Sequence, residues 1–180
     1  PGKPRESVED PKKTVLAKVN GISISVDDLV KEMITIAPQY VKPGQKADPS
    51  TDEKMRKEAL DRLIYRELAV QEAKRQGMKA PEGAVAEEVK KIKAEMKTED
   101  AFRQNLKKSG ITEEELKRQI ERNILVEMIA EKEVFGKVKL KPDAARNTVA
   151  MTLAVQNRED EWVGELKKAA GLASSFRADL

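Results

Sequence analysis

Two acidic triplets are the clearest clusters of side chains that could do chemistry. They are "EEE" at 113–115 and "EDE" at 159–161. Carboxylates can hold hard cations, but neither run has the glycine-containing loop spacing of a calcium site. The first triplet directly follows Thr112 at the start of a predicted helix, where negative charge interacts favourably with the helix dipole. We therefore interpret 113–115 as helix-start residues and expect no metal site.

Other residue types needed for catalysis are missing from the sequence. The chain has no histidine and no cysteine, which excludes Ser-His-Asp and Cys-His nucleophiles and zinc sites of the usual nitrogen and sulfur type. Its nine glycines are scattered, so no glycine-rich phosphate loop is present. Paired carboxylates stay open as catalysts, although no aromatic-rich sugar platform accompanies them. The sequence favours a protein that is not an enzyme and binds no cofactor.

Composition indicates a helical protein with long solvated faces. Charged residues make up 37% of the 180-residue chain, aromatic residues 3%, and the formal net charge is only +3. The basic run at 137–141 has no aromatic residue that could stack on a base, so we expect no nucleic-acid partner. No stretch approaches the roughly 18–20 apolar residues that span a bilayer, so we expect no transmembrane segment.

The first ordered elements predicted are a β-hairpin and a helix. The segment "VLAKVNGISIS" has two short apolar strands around Asn20-Gly21, the strongest two-residue hairpin signal. Ser25 and Asp28 then stand at capping-box spacing. The polar, proline-containing residues 1–13 predict a flexible linker.

Hydrophobic spacing predicts six helices after the hairpin. They lie at about 26–37, 51–76, 81–96, 98–110, 112–136 and 143–170. Ser50 and Glu53 predict a capping box for the second helix. The last helix is ambiguous, because 147–156 also alternates like a strand, and we favour one long helix. The fold class is therefore mainly α, with a short N-terminal β-hairpin.

Three segments resemble one known family. They are "AKVNGISISVDDLVKEM", "KEALDRLIYRELAVQEAKRQGMK" and "FRQNLKKSGITEEELKRQIERNILVEMI". In this order they resemble the N-terminal chaperone domain of the SurA-type periplasmic chaperones and their parvulin-type prolyl-isomerase relatives. The similarity covers about residues 15–140.

The resemblance implies a multi-helix chaperone domain that works without ATP. Such domains bind unfolded exported polypeptides, here called clients, which are often outer-membrane protein precursors. It also implies a periplasmic or otherwise exported location. No signal peptide is present in the chain, and the start at Pro1 is typical of a processed or trimmed terminus.

A parvulin domain should follow in this family, but only 40 residues remain from 141 onward and none is histidine. We therefore expect no isomerase activity. The segment "EDEWVGELKKAAGL" is similar to the family's C-terminal helix, which packs back on the N-terminal module. The domain prediction is 14–180, divided into an N-terminal part at 14–136, a connector at 137–147, and a C-terminal helix and tail at 148–180. Trp162 and Leu166 are the predicted docking residues, and docking could be swapped between two chains to give a homodimer.

An apolar groove is the predicted client site. Methionine suits such a groove, because its unbranched side chain repacks around different partners. The candidate client-binding residues are large apolar side chains on the narrower stripes and beside the Pro/Gly breaks: Met33, Ile36, Tyr40, Met96 and Phe102. Two alternatives stay open, a helical interaction or dimerisation scaffold and the non-catalytic part of a prolyl isomerase.

Overall fold

The computed structural model describes residues 14–138 and 148–172. Within these ranges the chain is mainly helical, with one antiparallel hairpin and six α-helices, which confirms the predicted fold class. The elements are β1 (Val15–Val19), β2 (Ile22–Ser25), α1 (Val26–Ile36), α2 (Pro49–Arg75), α3 (Glu82–Glu95), α4 (Glu99–Ser109), α5 (Glu113–Glu133) and α6 (Thr148–Ala169). Short 3₁₀ turns follow α1 at Ala37–Gln39 and α5 at Phe135–Lys137.

The hairpin turns at Asn20 and Gly21, as the sequence predicts. Both residues have positive φ, 49° and 87°, which is the backbone geometry of a type I′ turn. β2 leads directly into α1 through a capping box. The backbone N–H of Ser25 donates to the Asp28 carboxylate at 2.8 Å, and the backbone N–H of Asp28 donates to Ser25 Oγ at 3.2 Å. Local sequence alone therefore determines how the chain enters its first helix.

The predicted start of α2 is wrong by two residues. The helix begins at Pro49, and Asp48 caps it rather than Ser50. Thr51 donates to Asp48 from its backbone N–H at 3.0 Å and from its hydroxyl at 2.8 Å, and these bonds lower the pKa of Asp48. Proline favours the first helical position because its missing N–H needs no partner there, so the helix starts one step before the predicted cap.

The remaining helix ends agree closely with the predictions. Thr112 and Glu115 form the predicted capping box of α5, and Thr98 caps α4. Gly110 ends α4 with a φ of 67°, which glycine adopts without strain. The choice of helix for 148–156 is confirmed. The predicted linker at 1–13, and residues 139–147 and 173–180 of the predicted connector and tail, lie outside the described residues.

The chain divides into two compact units, each described by itself. Unit 1 comprises 1–68 and 164–180. Its buried core combines the hairpin, α1 and the first part of α2. Leu166, Ala170 and Leu172 pack against this core, and Lys167 Nζ lies 3.1 Å from Asp61 Oδ1 on α2. The predicted packing of the C-terminal helix on the N-terminal module is therefore confirmed.

Unit 2 comprises 69–163. Here α3 packs against α5. The largest fully buried side chains of this unit are Phe102, Leu125, Ile129, Val70 and Val134. The prediction of a single domain over 14–180 stays a prediction.

Candidate binding groove

An open apolar groove lies between α3 and α5 in unit 2. Its volume is about 710 Å³. The apolar side chains that line it come from the α2–α3 loop, from α3 and from α5: Met78, Ala80, Val85, Ala86, Val89 and Leu125. Four of these six are alanine or valine. Because the small side chains leave space that larger ones would fill, the groove can accept large apolar side chains from outside.

The sequence explains why this surface exists. On α3, Val85 and Val89 are four residues apart and lie on one face of the helix, whereas charged residues cover most of the rest. Val89 and Leu125 are buried, and Val85 is half-buried. Val89 therefore lies in the packing of α3 on α5, whereas Val85 stays partly accessible.

Charges of both signs surround the groove. Four are basic, Lys74, Lys79, Lys117 and Arg118, and three are acidic, Glu82, Glu114 and Glu121. A rim this balanced gives no strong attraction for a highly charged ligand such as nucleic acid. The groove is therefore suited to an apolar segment of low net charge.

Lys93 braces the far end of α3. Its Nζ lies 3.2 Å from the carboxylate of Glu113, the first residue of α5, and 3.6 Å from that of Glu99 on α4. The same Nζ lies 4.8 Å from the centroid of the Phe102 ring, within cation–π range. One side chain thus links the three helices that follow the α2–α3 loop.

A polar network fixes the C-terminal end of α5. Glu133 is buried, and its carboxylate accepts hydrogen bonds from Lys137 Nζ and from Gln76 Nε2 at 3.0 Å. These two donors hold the pKa of Glu133 below its usual range. Arg158 Nε on α6 donates to the backbone carbonyl of Glu133 at 3.0 Å. Glu133 therefore connects the end of α5 to Gln76, which follows α2, through its carboxylate and to the middle of α6 through its backbone carbonyl.

The five predicted client contacts fall into different environments. Ile36 is 0% exposed and Phe102 is 1% exposed, so both lie in the core of this structure, and their role as client contacts stays a prediction. Large apolar residues on an amphipathic helix are usually buried in the core. Their spacing in the sequence does not distinguish residues of the core from residues that line an open groove.

Met33, Tyr40 and Met96 are partly buried. Met33 and Tyr40 pack against the core of unit 1. The Tyr40 hydroxyl donates to Glu58, and this bond raises the Tyr40 pKa. Met96 follows α3 in unit 2, so the candidates do not share one unit. Of the predicted docking residues, Leu166 packs on the unit 1 core, and Trp162, which is buried, belongs to unit 2.

Sequence reasoning missed the groove itself. The four-residue spacing of Val85 and Val89 is visible in the sequence, but Leu125 on α5 lies 36 positions after Val89. No local pattern signals that Val89 and Leu125 line the same groove.

Unit 1 also has exposed apolar side chains on α1, Val30 and Ile34. No helix within the described ranges is long and apolar enough to cross a membrane. The described residues also contain no cluster of three or more acidic side chains placed to hold a metal ion.

Comparison with known proteins gives two matches. The model of the SurA-like N-terminal domain family matches residues 5–130. The chaperone SurA of Alcanivorax borkumensis is 28% identical over 128 residues, which are 70% of this chain and 29% of that protein. The chain therefore spans less than a third of the length of the curated relative that it matches.

Proposed function

The chain belongs to the SurA-like N-terminal domain family, and on that premise we propose that it is an ATP-independent chaperone module. It binds unfolded exported polypeptides, including outer-membrane protein precursors, through the α3–α5 groove. The observation that carries this proposal is the apolar floor built mainly from alanine and valine. An exported, periplasmic location follows from the clients that the family resemblance implies.

The size of the groove favours weak and promiscuous binding. Two or three client side chains buried there would contribute about 3–9 kcal/mol at about 1.5–3 kcal/mol each. Ordering an unfolded segment costs about 2–5 kcal/mol of this, and association costs more. With an association cost of at least about 4 kcal/mol, the most favourable remainder is about 3 kcal/mol, which corresponds to a dissociation constant of several millimolar. Such weak binding in one groove allows a client to be released and to fold without a nucleotide.

Further client contacts are proposed outside the groove. Met33, Tyr40 and Met96 are partly exposed and stay in the candidate set. Ile36 and Phe102 are buried, so the proposal relies first on the three partly exposed residues.

Suppression of aggregation tests the groove directly. Val85→Glu places a carboxylate on the groove wall, where a bound apolar segment would have to desolvate it. We expect the concentration of chaperone needed to halve the aggregation of a denatured outer-membrane protein to rise at least tenfold. Ala84→Glu adds the same charge to the same helix at an exposed position outside the groove, and it should leave that concentration unchanged.

Two outcomes would contradict the proposal. One is equal protection by both variants, and the other is no protection by the native protein up to equimolar amounts. A separate prolyl-peptide assay tests the expected lack of isomerase activity. Because uncatalysed isomerisation takes tens of seconds or more, even modest catalysis that scales with protein concentration would be visible and would contradict that expectation.

A further inference from the structure

The hairpin turn holds a chemically reactive pair of residues. Asn20 is the one asparagine in the sequence that precedes glycine, and those that precede larger residues are Asn105, Asn123, Asn147 and Asn157. Asparagine is thermolabile, because the backbone nitrogen of the following residue can attack the carbon of its side-chain amide. Glycine has no Cβ that would obstruct this attack. The sequence therefore makes Asn20 the asparagine with the least hindered neighbour.

The surroundings of the turn are open. Asn20 and Gly21 are both exposed, and Ile22 is 51% exposed. Apart from the two chain neighbours of Gly21, no atom of the described residues lies within 4 Å of the position that a Cβ on Gly21 would take. Water therefore reaches the turn, and no other part of the described chain crowds Gly21.

Exposure alone does not single out Asn20. Asn105 on α4 and Asn123 on α5 are exposed as well. Each lies inside a helix, where the N–H of the next residue donates to a carbonyl one turn earlier. Ring closure there would break this hydrogen bond and would place the side chain of Leu106 or Ile124 against the new ring. These two asparagines are therefore internal controls for Asn20.

The turn lies one peptide rotation away from the geometry that closes the ring. The ring joins Cγ of Asn20 to the nitrogen of Gly21, and it closes when ψ of Asn20 is about −120°, the value of a type II′ turn. Types I′ and II′ both have a positive φ at the first central residue, and both fit a two-residue hairpin. Asn20 already has a φ of 49°, and Gly21 can change the sign of its φ of 87° because glycine populates either sign. Rotating the peptide between these two residues therefore brings the reacting atoms together while β1 and β2 stay paired.

We propose that Asn20 is a site of self-modification within the folded hairpin. The nitrogen of Gly21 bonds to Cγ of Asn20 and gives up its proton, and the side-chain NH2 group takes a proton and leaves as ammonia. One water molecule then opens the resulting succinimide at either of its two carbonyls. The products are aspartate and isoaspartate, and each adds a negative charge to the turn.

The two products differ in what they do to the hairpin. In isoaspartate the main chain runs through Cβ and Cγ, so it is one atom longer, and the turn no longer matches the pairing of Val19 with Ile22. Val19 is 0% exposed and belongs to the core of unit 1, so this mismatch should destabilise unit 1. Aspartate keeps the chain length, and Asp-Gly also favours a type I′ turn, so aspartate should leave the hairpin intact.

Peptide mapping of the native protein tests the modification. After incubation at mildly alkaline pH, the tryptic peptide 19–31 contains Asn20 as its only asparagine, and conversion appears as the mass difference between an amide and a carboxylic acid. We expect this conversion to be at least about tenfold faster at Asn20 than at Asn105 or Asn123, and a sample digested without incubation gives the background. Equal rates at the three asparagines would overturn the proposal.

Urea distinguishes reaction in the folded turn from reaction after unfolding. The ring-closing conformation of Asn20 is unfavourable for a residue with a Cβ, so the folded protein should react about tenfold to a hundredfold more slowly than the chain in concentrated urea. A reaction that required global unfolding would be slower by the unfolding equilibrium constant, about a thousandfold or more. A difference that large would overturn reaction within the folded hairpin.

The Asn20→Asp variant is the matched control for the added charge. We expect the isoaspartate form, separated from the incubated protein by ion exchange, to unfold at a lower urea concentration than Asn20→Asp, which should match the native protein. An isoaspartate form as stable as Asn20→Asp would contradict the expected effect on the hairpin.

Discussion

Removing the Arg66 side chain should destabilise unit 1 by leaving a buried carboxylate without its partner. Glu32 on α1 has a side chain that is only 6% exposed, and Arg66 on α2 is 38% exposed. The two guanidinium nitrogens donate to the two carboxylate oxygens at 3.0 Å and 3.4 Å. Two hydrogen bonds therefore join α1 to α2, and the Glu32 carboxylate is shielded from water whereas the Arg66 guanidinium is partly exposed.

The expected cost follows from this asymmetry. Breaking a buried ion pair by deleting one partner costs about 3–5 kcal/mol, whereas an exposed pair is worth about 0–1 kcal/mol. Because water reaches part of the guanidinium, we expect Arg66→Ala to cost about 2–3 kcal/mol. Replacing both partners with apolar residues, Glu32→Leu with Arg66→Met, removes the charge that must be buried and should cost less than about 1 kcal/mol.

Urea unfolding followed by circular dichroism measures these differences. Arg56→Ala is the matched control, since Arg56 is on the same helix and pairs with Asp52 at 2.7 Å, but both side chains are exposed. This control should change the free energy of unfolding by less than about 0.5 kcal/mol. The reasoning would be refuted if Arg66→Ala were no worse than Arg56→Ala. It would also fail if the double variant were as unstable as Arg66→Ala.

Three further results are expected. The hydrogen bond from Lys137 lowers the pKa of Glu133 below its ordinary value of 4.5. The ionised Glu133 therefore stabilises the folded state above pH 4.5, and this stabilisation is lost as the pH falls through the lowered pKa. Urea unfolding between pH 7 and 3 should therefore show a weaker pH dependence in Glu133→Gln. Lys97 has a φ of 63°, which costs a non-glycine residue about 1–2 kcal/mol. Lys97→Gly should raise the free energy of unfolding by about 0.5–1 kcal/mol, whereas Lys90→Gly, inside α3, should lower it by about 1 kcal/mol. Trp162 is buried, so Trp162→Ala should cost about 3–5 kcal/mol, and the native protein should show blue-shifted tryptophan emission. A water-like emission would contradict the last prediction.

Local chemistry made much of the fold predictable. The turn at Asn20-Gly21 and the capping boxes that begin at Ser25 and Thr112 depend on residues at most three positions apart. The start of α2 was misplaced because Asp48 and Ser50 are both good cap residues, and the choice between them depends on Pro49. Where two adjacent local signals compete, the sequence determines that a helix begins but not at which residue.

The candidate site depended on contacts that are distant in sequence. Phe102 was predicted as a client contact from its large apolar side chain, but it is buried, with Lys93 against its ring. Val85 and Val89 are four residues apart in the sequence, but only the packing of α3 on α5 makes them one wall of a groove. Apolar spacing identifies which face of a helix is apolar, and tertiary packing decides how much of that face stays open.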